Sequence, residues 1–254
     1  MVYLFFVLVL LSLVLLLYMV FKAHHDKIGH HRITSEKIDK EFSLFFISDV
    51  HRRKIKTETL EQIPQDISFV VIGGDLTESG VPSARTRENI RKLKRWGAPI
   101  IFIWGNNDYD GDPNELYSLL QEEDVTILAN RNCAIPVNGN KISLIGLDCC
   151  HRSEALFDVA SEGAEGTYKI LLTHAPSAFY ELDREEQDKV DMVLAGHTHG
   201  GQIRILGFGF FKRGGLERIG NTDVLVSEGY GYTRLPMRLG TNAECQIITF
   251  GNKM

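Results

Sequence analysis

The sequence lacks the features that would mark a nucleic-acid binder or a disulfide-stapled scaffold. Its 254 residues carry 28 Lys and Arg against 33 Asp and Glu, a formal charge of -5. With no basic field to hold a phosphodiester backbone, duplex DNA or RNA is not an expected partner, and any anionic substrate must be met by local groups. Cysteine is sparse: Cys133, Cys149, Cys150 and Cys245 show no zinc-type spacing, and adjacent Cys149 and Cys150 cannot easily share an unstrained disulfide. They read as reduced, buried thiols, which suits a domain held in the cytosol. No internal repeat and no long low-complexity linker divides the chain.

Charge and proline are also missing from the first stretch, VYLFFVLVLLSLVLLLYMVF, between Val2 and Phe21. Twenty helical residues span about 30 Å, the thickness of a bilayer's hydrocarbon core. The run exceeds a usual signal-peptide core, lacks a basic segment before it and ends without an A-x-A-like site, so residues 1–21 are expected to be a membrane anchor. Lys22, Lys27, Arg32, Lys37 and Lys40 all follow the run, and the positive-inside rule then puts the remainder in the cytoplasm of a single-pass membrane protein. Residues 22–40 hold His24, His25, His30 and His31 among mixed charges without completing a defined metal site. They are expected to be a solvated juxtamembrane linker, with the catalytic domain filling 41–254.

Within that domain, short apolar runs alternate with charged stretches of helical period, the texture of a layered α/β fold. Strands are expected at 43–48, 68–73, 99–104, 141–146, 168–173 and 191–196, and helices at 81–96, 113–124, 153–164 and 177–187. Most of the strands are apolar along their whole length, which calls for cover on both faces. After His199 the runs QIRIL, DVLVSEG and ECQIITF suggest antiparallel strands joined by Gly-rich turns.

Chemistry is concentrated where the strands end. Five of these runs lead into loops with potential metal ligands: SDVH (48–51), GGDL (73–76), GNND (105–108), THAP (173–176) and GHTH (196–199). Carboxylate, imidazole and amide oxygen converging on one sheet edge suit hard to borderline divalent ions such as Mn, Fe, Zn or Mg. Any one piece alone is more often hydrogen-bonded scaffolding than a ligand set, so the weight lies in five pieces occurring in this order. Gly74, Gly105 and Gly196 beside them are expected to allow tight turns that aim the next side chain at the metals.

These blocks resemble the calcineurin-like metallophosphoesterases over essentially all of residues 43–250. GHTHGGQIR (196–204) and SEGYGYTRLPMRLGTNAECQIITF (227–250) are similar to a membrane-associated subgroup of small bacterial phosphoesterases that includes relatives acting on lipid-linked pyrophosphates. The resemblance implies a four-layer α-β-β-α sandwich holding two divalent ions, with manganese favoured. It implies Asp49, His51 and His199 on the first metal, Asn106, His174 and His197 on the second, and Asp75 bridging them. It further implies a phosphohydrolase that cleaves a phosphodiester or pyrophosphate, including lipid-linked or nucleotide substrates, by a bridging water activated between ions about 3.5–4 Å apart. The short spacers suggest no large inserted cap.

One family position departs. The resemblance puts a catalytic histidine at 107 and an orienting Asp at 78, whereas this chain has Asn107 and Glu78. An amide cannot act as a general acid near neutrality, though its NH2 can still donate to a phosphoryl oxygen. Asn107 is therefore the candidate catalytic residue of either an enzyme suited to acidic leaving groups or a membrane-tethered metal-binding or regulatory protein with weakened catalysis. Gln202 and Arg204 could reach a substrate phosphate or simply face solvent, Trp104 and Tyr109 could stack on a base or pack as rim, and Arg85, Arg87, Arg91, Lys92, Lys94 and Arg95 read as a solvated helix face.

Overall fold

The computed structural model describes residues 1–64 and 66–253. Its first element, α1 (Val2–His24), is long and apolar enough to cross a membrane, and its residues 2–18 are all exposed. Beyond it the chain forms two mixed six-stranded sheets.

The first sheet contains β1 (Asp26–Thr34), β2 (Phe42–Ile47), β3 (Ile67–Ile72), β4 (Ile100–Ile103), β5 (Thr126–Leu128) and β12 (Ala243–Gly251), in the order β1-β12-β2-β3-β4-β5. The second contains β6 (Arg131–Val137), β7 (Asn140–Gly146), β8 (Tyr168–Leu172), β9 (Met192–Ala195), β10 (Gly215–Ile219) and β11 (Thr222–Val226), in the order β10-β11-β9-β8-β7-β6. In each sheet the central strands run parallel, β2 through β5 in one and β7, β8, β9 and β11 in the other.

Because side chains alternate across a strand, one apolar run feeds two cores. Leu44 and Phe46 of β2 face the space between the sheets, where they meet Ile170 and Leu194, while Phe45 and Ile47 face outward. The outer face of the first sheet is covered by α2 (Thr57–Glu61), α3 (Ser83–Leu93) and α5 (Pro113–Glu122) through Leu60, Ile90, Leu93, Leu116 and Leu120. The second sheet's outer face is covered by α6 (Phe157–Ser161) and α7 (Ser177–Tyr180) through Phe157, Ala160 and Phe179. The result is the expected four-layer sandwich. Helix α5 starts where Asp112 accepts hydrogen bonds from the amides of Asn114 and Glu115, with Pro113 in the first turn.

Several expectations need correction. Residues 26–34 are not a solvated linker: β1 pairs in parallel with β12 along its full length, and Asp26 is buried against Arg53, Thr59 and Tyr230. The mixed charges that suggested solvent belong to an edge strand with an anchored first residue. The stretch 153–164 is helical only at Phe157–Ser161, and 177–187 breaks into α7 and α8 (Arg184–Gln187), where the Asp183 side chain caps a new start. QIRIL makes only isolated bridges rather than a strand, and β11 runs parallel to β9. The basic residues of 85–95 do not simply face solvent, since Arg87, Arg91 and Lys94 converge on the Glu123 carboxylate and tie α3 to the end of α5. The four cysteines are free thiols.

Candidate metal centre

Every parallel strand of interest ends at the same edge of the sandwich, the position where open α/β sheets gather ligands. The loop after β2 delivers Asp49 and His51, that after β3 delivers Asp75, and that after β4 opens α4 (Asn106–Asp110) with Asn106 and Asn107. His174 follows β8, and His197 and His199 follow β9.

Asp49, His51 and His199 form one group and Asp75, His174 and His197 a second, with the candidate ligand atoms of each group within 4.8 Å of one another. Asp75 reaches both groups: its Oδ2 lies 3.3 Å from His174 Nε2 and 3.7 Å from His51 Nε2. The Asn106 Oδ1 is buried and, among the described residues, has no hydrogen-bond partner. Leaving a buried acceptor unpaired is costly, so the atom calls for a cation or a donor at this point. Six of the seven expected ligands thus fall into two groups whose donor chemistry suits divalent ions, and the loop after β4 carries the seventh, Asn106, to the same sheet edge.

The backbone is strained at the same place. Asp49, His51, Asp75, His197 and His199 all have positive φ, between 49° and 70°, a region that non-glycine residues rarely occupy. The glycines serve partly as expected. Gly74 has φ +82°, but Gly105 and Gly196 instead permit close approach: a Cβ would stand 2.2 Å from Asp75 Oδ1 at the first and 2.4 Å from Asp49 Oδ2 at the second.

Supporting contacts aim the rings. His174 Nδ1 lies 2.9 Å from the Gly73 carbonyl oxygen, which turns Nε2 toward Asp75. His51 Nδ1 lies 2.9 Å from Glu78 Oε2, so Glu78 backs a candidate ligand instead of residue 107. Asp108 accepts from the amides of Asp75, Gly105 and Thr77 and thereby ties two ligand loops together. Arg238, with no exposure, donates to the carbonyls of Glu228 and Gly231 at 2.7 Å each and fixes the turn packed beneath Asp49.

Burial and close charges shift the groups of this cluster in opposite directions. Burial opposes the charged form of Asp75, yet His174 and His51 hold its carboxyl well below the usual range. Burial likewise opposes charge on His174, but Asp75 raises it to about 10. Burial together with His174 lowers His197 to about 4, and burial together with Asp75 raises Asp108 to about 7.

Asn107 donates from its backbone N and from Nδ2 to the two oxygens of Asp75, at 2.8 and 2.7 Å. His151, not singled out from sequence, stacks on the His197 ring with centroids 4.6 Å apart. A cleft of about 1380 Å³ reaches the site past Arg52, Glu78 and Asn107, and a second of about 600 Å³ passes His151 and His197. Gln202 and Arg204 are not free for a phosphate: Gln202 bonds Thr233 and Leu235, while Arg204 bonds the carbonyls of Gly200 and Gly207. Trp104 is buried and Tyr109 stacks on it at 4.8 Å, donating its hydroxyl to Asp148, so both act in packing.

A sandwich with this edge defines a metal-dependent phosphoesterase, and the comparisons agree. The model of the calcineurin-like phosphoesterase family matches residues 42–201, and the chain belongs to that family. It is 38% identical over 235 residues to the Bacillus subtilis (strain 168) uncharacterized protein YpbG, covering 92% of this chain and 90% of that one. It is 29% identical over 252 residues to an uncharacterized metallophosphoesterase of Helicobacter pylori (strain J99), covering 87% of this chain and 63% of that one. A Bos taurus transmembrane protein with metallophosphoesterase domain is 30% identical over 231 residues, covering 79% of this chain and 51% of that one. This chain thus spans less than two thirds of the latter two. Among solved structures, a 5'-nucleotidase precursor from Thermus thermophilus shares the fold, with TM-score 0.53 and 12% identity over 82% of this chain and 55% of that one.

Proposed function

We propose that this chain is a membrane-anchored phosphohydrolase that uses two divalent ions to cleave a phosphodiester or pyrophosphate. The reading is supported above all by Asp75, whose Oδ2 lies 3.3 Å from His174 of its own group and 3.7 Å from His51 of the other, so that it would serve as the bridge. Asp49, His51 and His199 would hold one ion and Asn106, His174 and His197 the other. Mn, Fe, Zn and Mg all suit these donors, and we favour Mn. When bound, the pair would polarise the phosphoryl oxygens and acidify a water to serve as nucleophile.

The protein's own groups complete the task. Asn107 secures both Asp75 oxygens and, having no acidic proton near neutrality, offers hydrogen bonds only. His151 stands beside His197 at the mouth of the second cleft, and we assign it the contact with the leaving group that residue 107 cannot make. Arg52 lines the larger cleft, but its guanidinium is bound to Glu78 and to the Ser79 carbonyl, so its part is to hold Glu78 in place. Helix α1 supplies the anchor, and the cations after it favour a cytoplasmic site. The alternative, a membrane-tethered binding protein with weakened catalysis, draws on Asn107 alone.

The test is turnover of bis-p-nitrophenyl phosphate and of pyrophosphate by the full-length protein with Mn2+. Turnover that needs the metal and disappears in Asp75→Asn supports the enzyme. Absence of turnover in the parent with any of the four metals, alongside retained metal binding, favours the alternative.

A further inference from the structure

Outside α1, exposed large apolar side chains gather next to the larger cleft on one short loop. Ile205, Leu206, Phe208, Phe210 and Phe211 are 65, 93, 81, 98 and 51% exposed, and neighbouring Leu235 is 58% exposed. Soluble surfaces rarely gather large apolar side chains in this way unless something covers them. The loop is not slack. Ile205 and Phe208 exchange both backbone hydrogen bonds at 2.9 Å around Leu206 and Gly207, whose φ values of 51° and 88° make a tight hairpin turn. The Arg204 guanidinium binds the Gly200 and Gly207 carbonyls from below. The hairpin is thus braced while its large apolar side chains stand exposed.

What covers them follows from how the loop connects to α1. The Arg238 amide donates to the Met19 carbonyl at 3.0 Å, Arg204 donates to Leu239 at 2.7 Å, and Leu239 donates to Gln202 at 3.1 Å. At a rise of about 1.5 Å per residue, Met19 lies only about 3 Å inside the end of the apolar run at Phe21. The loop is therefore linked through two backbone contacts to the end of the helix at which the apolar run stops. Lys212 and Arg213, with side chains 75 and 60% exposed, follow the apolar tip and pair with Glu217 and Glu228.

We propose that the 205–211 loop, together with Leu235, dips into the bilayer that α1 crosses and forms a second membrane contact. The 1380 Å³ cleft is lined both by Asn107, Glu78 and Arg52 beside the candidate metal centre and by Ile205, Phe208, Phe210 and Leu235 of the apolar surface. Insertion brings that shared cleft to the lipid, so a phosphoester whose chains stay in the bilayer reaches the metal centre sideways. This rests on the anchor reading of α1.

The test uses the full chain in phosphatidylcholine and phosphatidylglycerol vesicles, with single Phe208→Trp and Phe210→Trp replacements and Tyr18→Trp in α1 as reference. Emission of each added tryptophan, over the Trp96 and Trp104 background, is measured with and without acyl-chain-brominated lipid. The proposal expects quenching at 208 and 210 comparable to that at 18. Quenching at 18 with none at 208 or 210 overturns the loop contact and leaves the anchor standing, with a protein partner as the cover. No quenching at any of the three overturns the anchor itself and the loop contact with it.

Discussion

Replacing Glu78 separates support of a ligand from a direct part in the chemistry. Its carboxylate stands 2.9 Å from His51 Nδ1, with side-chain exposures of 14 and 1%, and is itself held by Arg52. A carboxylate on the far nitrogen of a ligating imidazole fixes the ring and raises its basicity, and losing it typically weakens metal affinity by about 10- to 100-fold. That factor corresponds to about 1.4–2.7 kcal/mol. The effect should stay within one group, because His174 of the other is oriented by the Gly73 carbonyl. Glu78→Gln keeps an oxygen that can accept from Nδ1 and should fall near the smaller loss; Glu78→Ala should fall near the larger. Calorimetric titration of metal-free, full-length protein with Mn2+ resolves the two affinities. Parent affinities in both variants, or equal weakening at both sites, would refute the reasoning.

Three further outcomes follow from the same geometry. Asn107→His should raise turnover on alkyl phosphodiesters more than on p-nitrophenyl esters, since a general acid is worth roughly 10² to 10⁴ in rate and matters less for a good leaving group; equal gains would contradict the role given to residue 107. His151→Ala should lower turnover on alkyl substrates by about 10² or more while leaving Mn2+ affinity intact; unchanged turnover removes His151 from the chemistry. Asp26→Asn breaks a buried pair with Arg53 and should cost about 3–5 kcal/mol in denaturant unfolding, and a loss below 1 kcal/mol would argue against it. Burial opposes ionisation of Asp26, but Arg53, Thr59 and Tyr230 hold its pKa below the ordinary 3.8, so the parent keeps this contribution above about pH 4 and loses it on further acidification.

The candidate metal centre was legible because the residues proposed as its ligands follow strands whose apolar runs are unmistakable. SLFFIS, SFVVIG, PIIFIW, YKILLT and DMVLAG each lead into a loop that reaches one edge, and the topology does the rest. The sixth run, KISLIG, ends in LDCCHR, and it is this loop that brings His151 to the site. Its signal was an apolar strand followed by a histidine, without a recognisable block around it. Strand β1 was hidden for a different reason: an edge strand with one covered side needs few apolar residues, so DKIGHHRIT looks like solvated linker. Roles set by tertiary contact left no local mark at all. Glu78 turns toward His51, Arg204 braces its own loop and Arg238 is buried under Asp49, yet each is only a charged residue between neighbours in the sequence.

The most direct measurement is the number of metal ions retained by the full-length protein after Mn2+ loading and desalting, read by plasma mass spectrometry in the parent and in Asp75→Asn. A bridging carboxylate shared by both ligand groups predicts two ions per parent chain and fewer than one in the variant. A parent that retains one ion or none, or a variant that still retains two, would contradict the two-metal centre.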